Sequence, residues 1–143
     1  MESARSGYRG YVSCRSFGGL QVPVPIQTLV LRDYCARKGF LYKLHVNENE
    51  FPHSYMVLDG LLRELDGLEG ILIFSMFMLP QRAQRRREIY RRIFDVGIEL
   101  HLVLENFVIR QPADFAQVEE ILSISGLLPL CPGRMPGGER IQL

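Results

Sequence analysis

Ile71-Leu-Ile-Phe-Ser-Met-Phe-Met78 belongs to the longest apolar run in the chain, with Gly67 and Gly70 before it and Pro80 after it. The run shows no alternation of polar and apolar residues. A strand of that kind sits at the centre of a parallel sheet, with helices covering both faces. It is interrupted by Ser75 and is far too short to span a bilayer. On either side of it, short apolar segments alternate with segments of helical spacing.

Residues 8–14 read as a first strand, followed by Gly18-Gly19 and then Pro23 and Pro25. Pro25 suits the first helical position, where its missing N–H costs nothing. From there Ile26, Leu29, Val30 and Ala36 make a helical stripe that Gly39 caps. Residues 40–46 read as a half-buried second strand with Leu44 and Val46 inward, and Asn47 to Pro52 is a polar break. A second helix is predicted over 54–65 with Leu58, Leu61, Leu62 and Leu65 on one face, and a third over 82–95 with Ile89, Tyr90, Ile93 and Phe94 inward. Residues 98–106 read as the fourth strand and 113–124 as the last helix, opened by Pro112. Strand and helix so alternate four times, which predicts a three-layer, doubly wound α/β domain over 1–125. Its four-stranded, mainly parallel sheet would have the order 2-1-3-4. Residues 126–143 hold three prolines and four glycines and read as a tail.

The 143 residues suffice for one domain with a real core, and 47% hydrophobic against 23% charged residues excludes wholesale disorder. With 17 Lys and Arg against 16 Asp and Glu the net charge is +1, which disfavours a nucleic-acid coat or an anionic-membrane binder. It also leaves little repulsion between copies, so a homo-oligomer is expected. Cys14, Cys35 and Cys131 show no paired or metal-binding spacing, and the N-terminus lacks the apolar stretch of a secretion signal. A cytoplasmic protein without membrane contact is expected.

In an open parallel sheet, ligands bind beyond the C-terminal strand ends, where the strand order reverses. Ser13, Cys14 and Arg15 leave the first strand there, Asn47, Glu48 and Glu50 the second, Ser75 and Phe77 the third, and Glu105 and Asn106 the fourth. A guanidinium at such a mouth suits a carboxylate or phosphate. Glu105 and Glu50 are candidates for an acid/base pair, though two solvated loop carboxylates explain them as well. Ser13 is a candidate reacting group or simply a turn residue. Ser75, inside an apolar strand, must find a partner if buried, and a neighbouring backbone group is the plainer one. Gln27, near the start of the first helix, is placed to face the mouth. Arg32, on the same helix, reads equally as a surface ion-pair residue.

His45, His53 and His101 form no metal pattern, and Cys14 has no base assigned to it. Gly18-Gly19 matches neither a dinucleotide nor a Walker loop, so no cofactor is expected. Arg82, Arg85, Arg86, Arg87, Arg91 and Arg92 spread around their helix, broken by Glu88 and Asp95, and read as a solvated face that pairs with a second subunit.

Two family resemblances follow from these residues. The stretch Tyr11-Val12-Ser13 and the alternating elements over 8–109 resemble the catalytic domain of serine recombinases (resolvases). That resemblance implies a resolvase-like, flavodoxin-like sheet with Ser13 at the nucleophile position. The family's arginine two residues before the serine is here Tyr11, and its arginine cluster after the third strand is here Ser75-Met-Phe-Met-Leu79. The long dimer helix and the DNA-binding module are not recognised. The segments 9–15, 27–35, 75–80 and 102–105 are similar to a small bacterial family, the sporadic carbohydrate cluster proteins, whose name implies sugar or surface-polysaccharide biosynthesis. Together these predict a domain that binds a sugar or sugar phosphate, as a cofactor-independent lyase or isomerase. Arg15, Ser75, Gln27 and Arg32 would hold the substrate, and Glu105, Glu50 and Ser13 would act on it. The alternatives are a non-catalytic assembly protein and a recombinase-derived nucleic-acid-binding domain.

Overall fold

The computed structural model describes residues 5–17, 19–48, 51 and 54–127. Strand β1 spans Tyr8–Ser13, helix α1 Val24–Lys38, strand β2 Tyr42–Glu48 and helix α2 Met56–Leu61. Strand β3 spans Gly70–Ile73, helix α3 Ala83–Val96, strands β4 and β5 Glu99–Leu102 and Phe107–Ile109, and helix α4 Pro112–Leu127. Single 3-10 turns at Leu65–Gly67 and Met76–Met78 flank β3. The sheet order is β2-β1-β3-β4-β5, with β1 to β4 parallel and β5 antiparallel to β4.

The α/β class and the 2-1-3-4 order of the parallel strands agree with the sequence reading, and β5 is an addition to it. The segment expected as one long fourth strand, residues 98–106, holds only β4 and a turn, and β5 follows it. The chain turns back at residues 103–106, where Asn106 takes a left-handed φ of 53° and its N–H donates to the Val103 carbonyl. Asparagine is among the few non-glycine residues that tolerate this conformation. The central run is likewise shorter as a strand than it reads. The Ser75 hydroxyl accepts from the Phe77 N–H and winds Met76–Met78 into a turn, yet Met76 and Met78 stay buried.

Two cores lie on opposite faces of the sheet. Tyr11, Ile71, Ile73, Leu100 and Leu102 meet Leu58 and Leu61 of α2, Ile89 and Ile93 of α3, and Val118 of α4. Tyr8, Val12 and Leu72 meet Leu31, Tyr34 and Cys35 of α1. Helix α1 therefore buries Gln27, Leu31, Tyr34 and Cys35, whereas Ile26, Leu29 and Ala36 of the expected stripe are exposed. In β2 the register with β1 shifts between Arg9 and Tyr11, which leaves Leu44 exposed while Val46 packs on the core. In α3, Ile89, Tyr90 and Ile93 face inward as expected, but Phe94 is exposed and Arg86 takes a buried position. Gly39 and Gly97 end α1 and α3 with φ of 73° and 82°, the left-handed caps their positions call for. Helix α4 runs two residues into the stretch read as a tail, and the remainder of that stretch lies outside the described residues.

Candidate functional site

The C-terminal ends of the four parallel strands carry Ser13, Glu48, Ser75 and Glu105, and the fold brings these residues to one edge of the sheet. Ser13 pairs with Glu48 in the β1–β2 register. Tyr11 pairs with Ile73 across β1 and β3, and continuing that register by two residues sets Ser13 level with Ser75. Each polar group has a partner there, and the partners define its role.

Ser13 is buried, and two arms hold it. Its backbone N–H donates to Gln27 Oε1 at 3.2 Å, and its carbonyl accepts from Gln27 Nε2 at 2.7 Å. Gln27 Nε2 also reaches the Val22 carbonyl at 2.8 Å. Gln27 is fully buried, so its amide positions the backbone of Ser13 instead of meeting a substrate, which corrects the expected binding role. On the open side, Ser13 Oγ accepts from the Arg15 N–H at 3.2 Å and from Arg15 Nε at 3.4 Å. A guanidinium at that distance favours negative charge on the oxygen. Among the described residues no imidazole or carboxylate hydrogen-bonds this hydroxyl.

Arg15 also donates through Nη1 to the Phe51 carbonyl at 2.9 Å and lies 4.9 Å above the Tyr55 ring. Glu48, buried at the same edge, accepts from the Tyr11 hydroxyl at 2.8 Å and from the Val57 and Leu58 N–H groups at 3.0 and 3.1 Å. Its carboxylate thus closes the open N-terminal turn of α2. The same hydrogen bond helps keep the Tyr11 phenol well above its ordinary range, burial being the larger cause.

Glu105 accepts from the Ser75 hydroxyl at 2.7 Å and from the Met76 N–H at 2.9 Å. Ser75 is fully buried, so these two groups brace the β3 turn against the β4–β5 turn. The partner that the buried Ser75 requires is the Glu105 carboxylate, in addition to the Phe77 N–H. Glu50 and His53 lie outside the described residues. Arg32 is not at this edge. Its guanidinium sits 5.0 Å over the ring of Tyr42, the first residue of β2, near the opposite ends of the strands.

Beside this edge an open cleft of about 610 Å³ runs between α2 and the connection from β3 to α3. Ser54, Tyr55, Met56 and Asp59 form one wall, and Pro80, Gln81, Arg82 and Arg85 the other. Arg85 Nη2 contacts Asp59 Oδ1 and Oδ2 at 3.0 and 3.3 Å across it. Among the described residues the Arg82 guanidinium has neither an ion pair nor a hydrogen bond. The arginines spread around α3 are expected to be solvated alike, and the structure divides them. Arg86 is buried in a bidentate pair with Glu119 of α4, at 2.7 and 2.8 Å, while Arg82 and Arg85 line the cleft. Their position one turn apart at the start of α3, right after a Pro80 stop, is the signal that could have singled them out. Among the described residues there is no group of three or more His, Cys, Asp or Glu able to hold a metal, and no helix long and apolar enough to cross a membrane.

No protein-family model matches the chain, and no curated protein matches it. Solved structures of similar fold exist. The N-terminal catalytic domain of TP901-1 integrase superposes with a TM-score of 0.56 at 14% identity, covering 85% of this chain and 96% of that one. A resolvase family site-specific recombinase from Streptococcus pneumoniae superposes with a TM-score of 0.60 at 10% identity, covering 86% of this chain and 91% of that one. The resolvase-like fold is therefore established. The resemblance to carbohydrate cluster proteins finds no support in these comparisons. The recombinase neighbours overturn the expected sugar or sugar-phosphate partner, the carbohydrate-biosynthetic lyase or isomerase class, and the reading that disfavours nucleic acid as a partner.

Proposed function

We propose that the chain is a nucleic-acid-binding domain built on the recombinase fold, gripping phosphates along the edge that runs from Ser13 and Arg15 to Arg82 and Arg85. DNA is the polymer suggested by neighbours that are an integrase and a site-specific recombinase. The observation that carries the reading is the return of arginines to the cleft. The residues directly after β3 are apolar, but the turn at Met76–Met78 and Pro80 lead the chain into Arg82 and Arg85 on the cleft wall. Guanidinium forks suit phosphate oxygens, and a local cluster acts on a polyanion whatever the net charge of +1.

Binding without strand cleavage is the reading we favour. Phosphoryl transfer is catalysed mostly by positioning and by stabilising charge on the transferred group. Ser13 has a single guanidinium against it, and the residue two before it, Tyr11, gives its hydroxyl to Glu48. The test is fluorescence anisotropy on a labelled DNA hairpin with a duplex stem and a single-stranded loop. With three arginines engaged, log affinity is expected to fall against log salt with a slope of about −2 to −3. The triple variant Arg15→Ala, Arg82→Ala, Arg85→Ala should bind about ten-fold or more weakly at low salt while its melting curve stays cooperative. No salt-dependent binding by the wild type, or full binding by a folded triple variant, overturns the reading.

A further inference from the structure

The cleft has features that a phosphate grip alone does not require. Its volume, about 610 Å³, is that of a small-molecule site. One wall offers the Tyr55 ring beside the Met56 side chain, and Met56 is 72% exposed. Pro80 and Gln81 line the opposite side. The Asp59 carboxylate also faces this space, which disfavours a bare anion there. Paired with Arg85, it is held ready to accept from an amino or ring N–H group. An apolar, partly aromatic wall, an amide, an oriented carboxylate and one unpaired guanidinium match the parts of a nucleotide in turn.

We propose that the cleft receives one unpaired nucleotide of a single strand, its base against Tyr55 and Met56, its edge read by Asp59 and Gln81, and its phosphate at Arg82. The inference rests on the nucleic-acid reading above and adds the form of the ligand. A duplex holds its bases inside the stack and can fill the cleft only by extruding one, which costs a few kcal/mol. A single strand has a free base to offer, and stacking on an aromatic side chain is insensitive to its identity. Arg15, packed on the Tyr55 ring, holds that wall in place and links it to Ser13.

The experiment uses a 12-nucleotide DNA strand with a central 2-aminopurine, alone and annealed to its complement, against the wild type, Met56→Ala, Tyr55→Leu and Arg82→Ala. Expected are a single-strand affinity about ten-fold above that of the duplex and a change in 2-aminopurine emission on binding the single strand. Met56→Ala should lower single-strand affinity about five-fold while duplex binding is unchanged, and Tyr55→Leu, which also removes the ring under Arg15, should weaken the single strand more than the duplex. Arg82→Ala should weaken both and flatten the salt dependence. Met56 is exposed, so its variant tests the cleft even if Tyr55→Leu fails to fold. Equal salt-dependent binding of both forms, with no emission change and no effect of Met56→Ala, overturns the inference and leaves the proposed function standing. Retention of neither form overturns both.

Discussion

Glu48 shows how one side chain can join three elements. It ends β2, receives the hydroxyl of Tyr11 from β1 and closes the first turn of α2 through two backbone N–H groups. Removing the carboxylate leaves a buried phenol and two amides with lost partners, each costing about 1 kcal/mol or more. Glu48→Ala is therefore expected to lower unfolding stability by about 3 kcal/mol, and Glu48→Gln by less, since the amide oxygen still accepts. Urea denaturation followed by circular dichroism checks this, and a loss below about 1 kcal/mol for Glu48→Ala contradicts the assigned role. In the sequence Glu48 reads as part of a polar break at the mouth of the sheet, with no partner indicated. Its importance depends on the β1–β2 register, which no local pattern reveals. Ser75 is the opposite case: a hydroxyl inside an apolar run announces that a partner is needed, though not that the partner is Glu105, 30 residues away.

At the scale of elements, existence and type were more legible than faces and ends. Apolar runs mark β1 and β3, and helical spacing between glycine and proline marks all four helices. The inward face of α1 departs from its apolar stripe because it buries Gln27 and leaves Leu29 exposed, which inverts the polarity rule. The same inversion in α3 hides Arg86, whose Nη1 donates to the carbonyls of Pro80 and Gln81 at 2.9 and 2.7 Å. With the Glu119 pair and the Tyr90 hydroxyl on Glu119 Oε2 at 2.6 Å, it ties the cleft rim to α4. Breaking a largely buried pair from one side leaves an uncompensated charge. Arg86→Met is expected to destabilise the domain by about 2 kcal/mol, less than for a fully buried pair because Glu119 is partly exposed. Amide exchange in 112–125 should accelerate ahead of exchange in β1 and β3. Uniform acceleration across the sheet contradicts a local tie.

Across the whole molecule, the end opposite the cleft holds a second polar network inside the α1 core. His101, buried among the rings of Tyr8, Tyr34 and Phe40, has Nδ1 2.6 Å from the Tyr34 hydroxyl and Nε2 2.8 Å from Glu99 Oε1. A carboxylate only accepts, so Nε2 carries the proton and Nδ1 accepts from Tyr34. Burial holds the imidazole below its ordinary 6.5, outweighing the upward pull of Glu99. Burial also works to raise Glu99, but Arg110 and His101 keep that carboxyl below 4.5, and the Arg86 hydrogen bonds do the same for Glu119. All three folded values lie below the unfolded ones, so the stability they contribute is present at neutral pH and lost on acidification. The urea midpoint is expected to decline as pH falls below 6.5 and more steeply below 4.5. His101→Gln should remove the first decline and keep the second, and an unchanged first decline in that variant contradicts the assignment to His101.

By itself, the sequence determined the fold class, the order of the four parallel strands and the edge at which polar groups gather. Hydrophobic spacing and turn residues are local, and the rules for parallel sheets carry them to a topology. The division of the arginines into a buried tie and a cleft wall was decided only in three dimensions, as were the pairing of Ser75 with Glu105 and the clamp of Gln27 on Ser13. Each of these depends on which distant group meets a side chain, and helical spacing or residue type carries no record of that meeting.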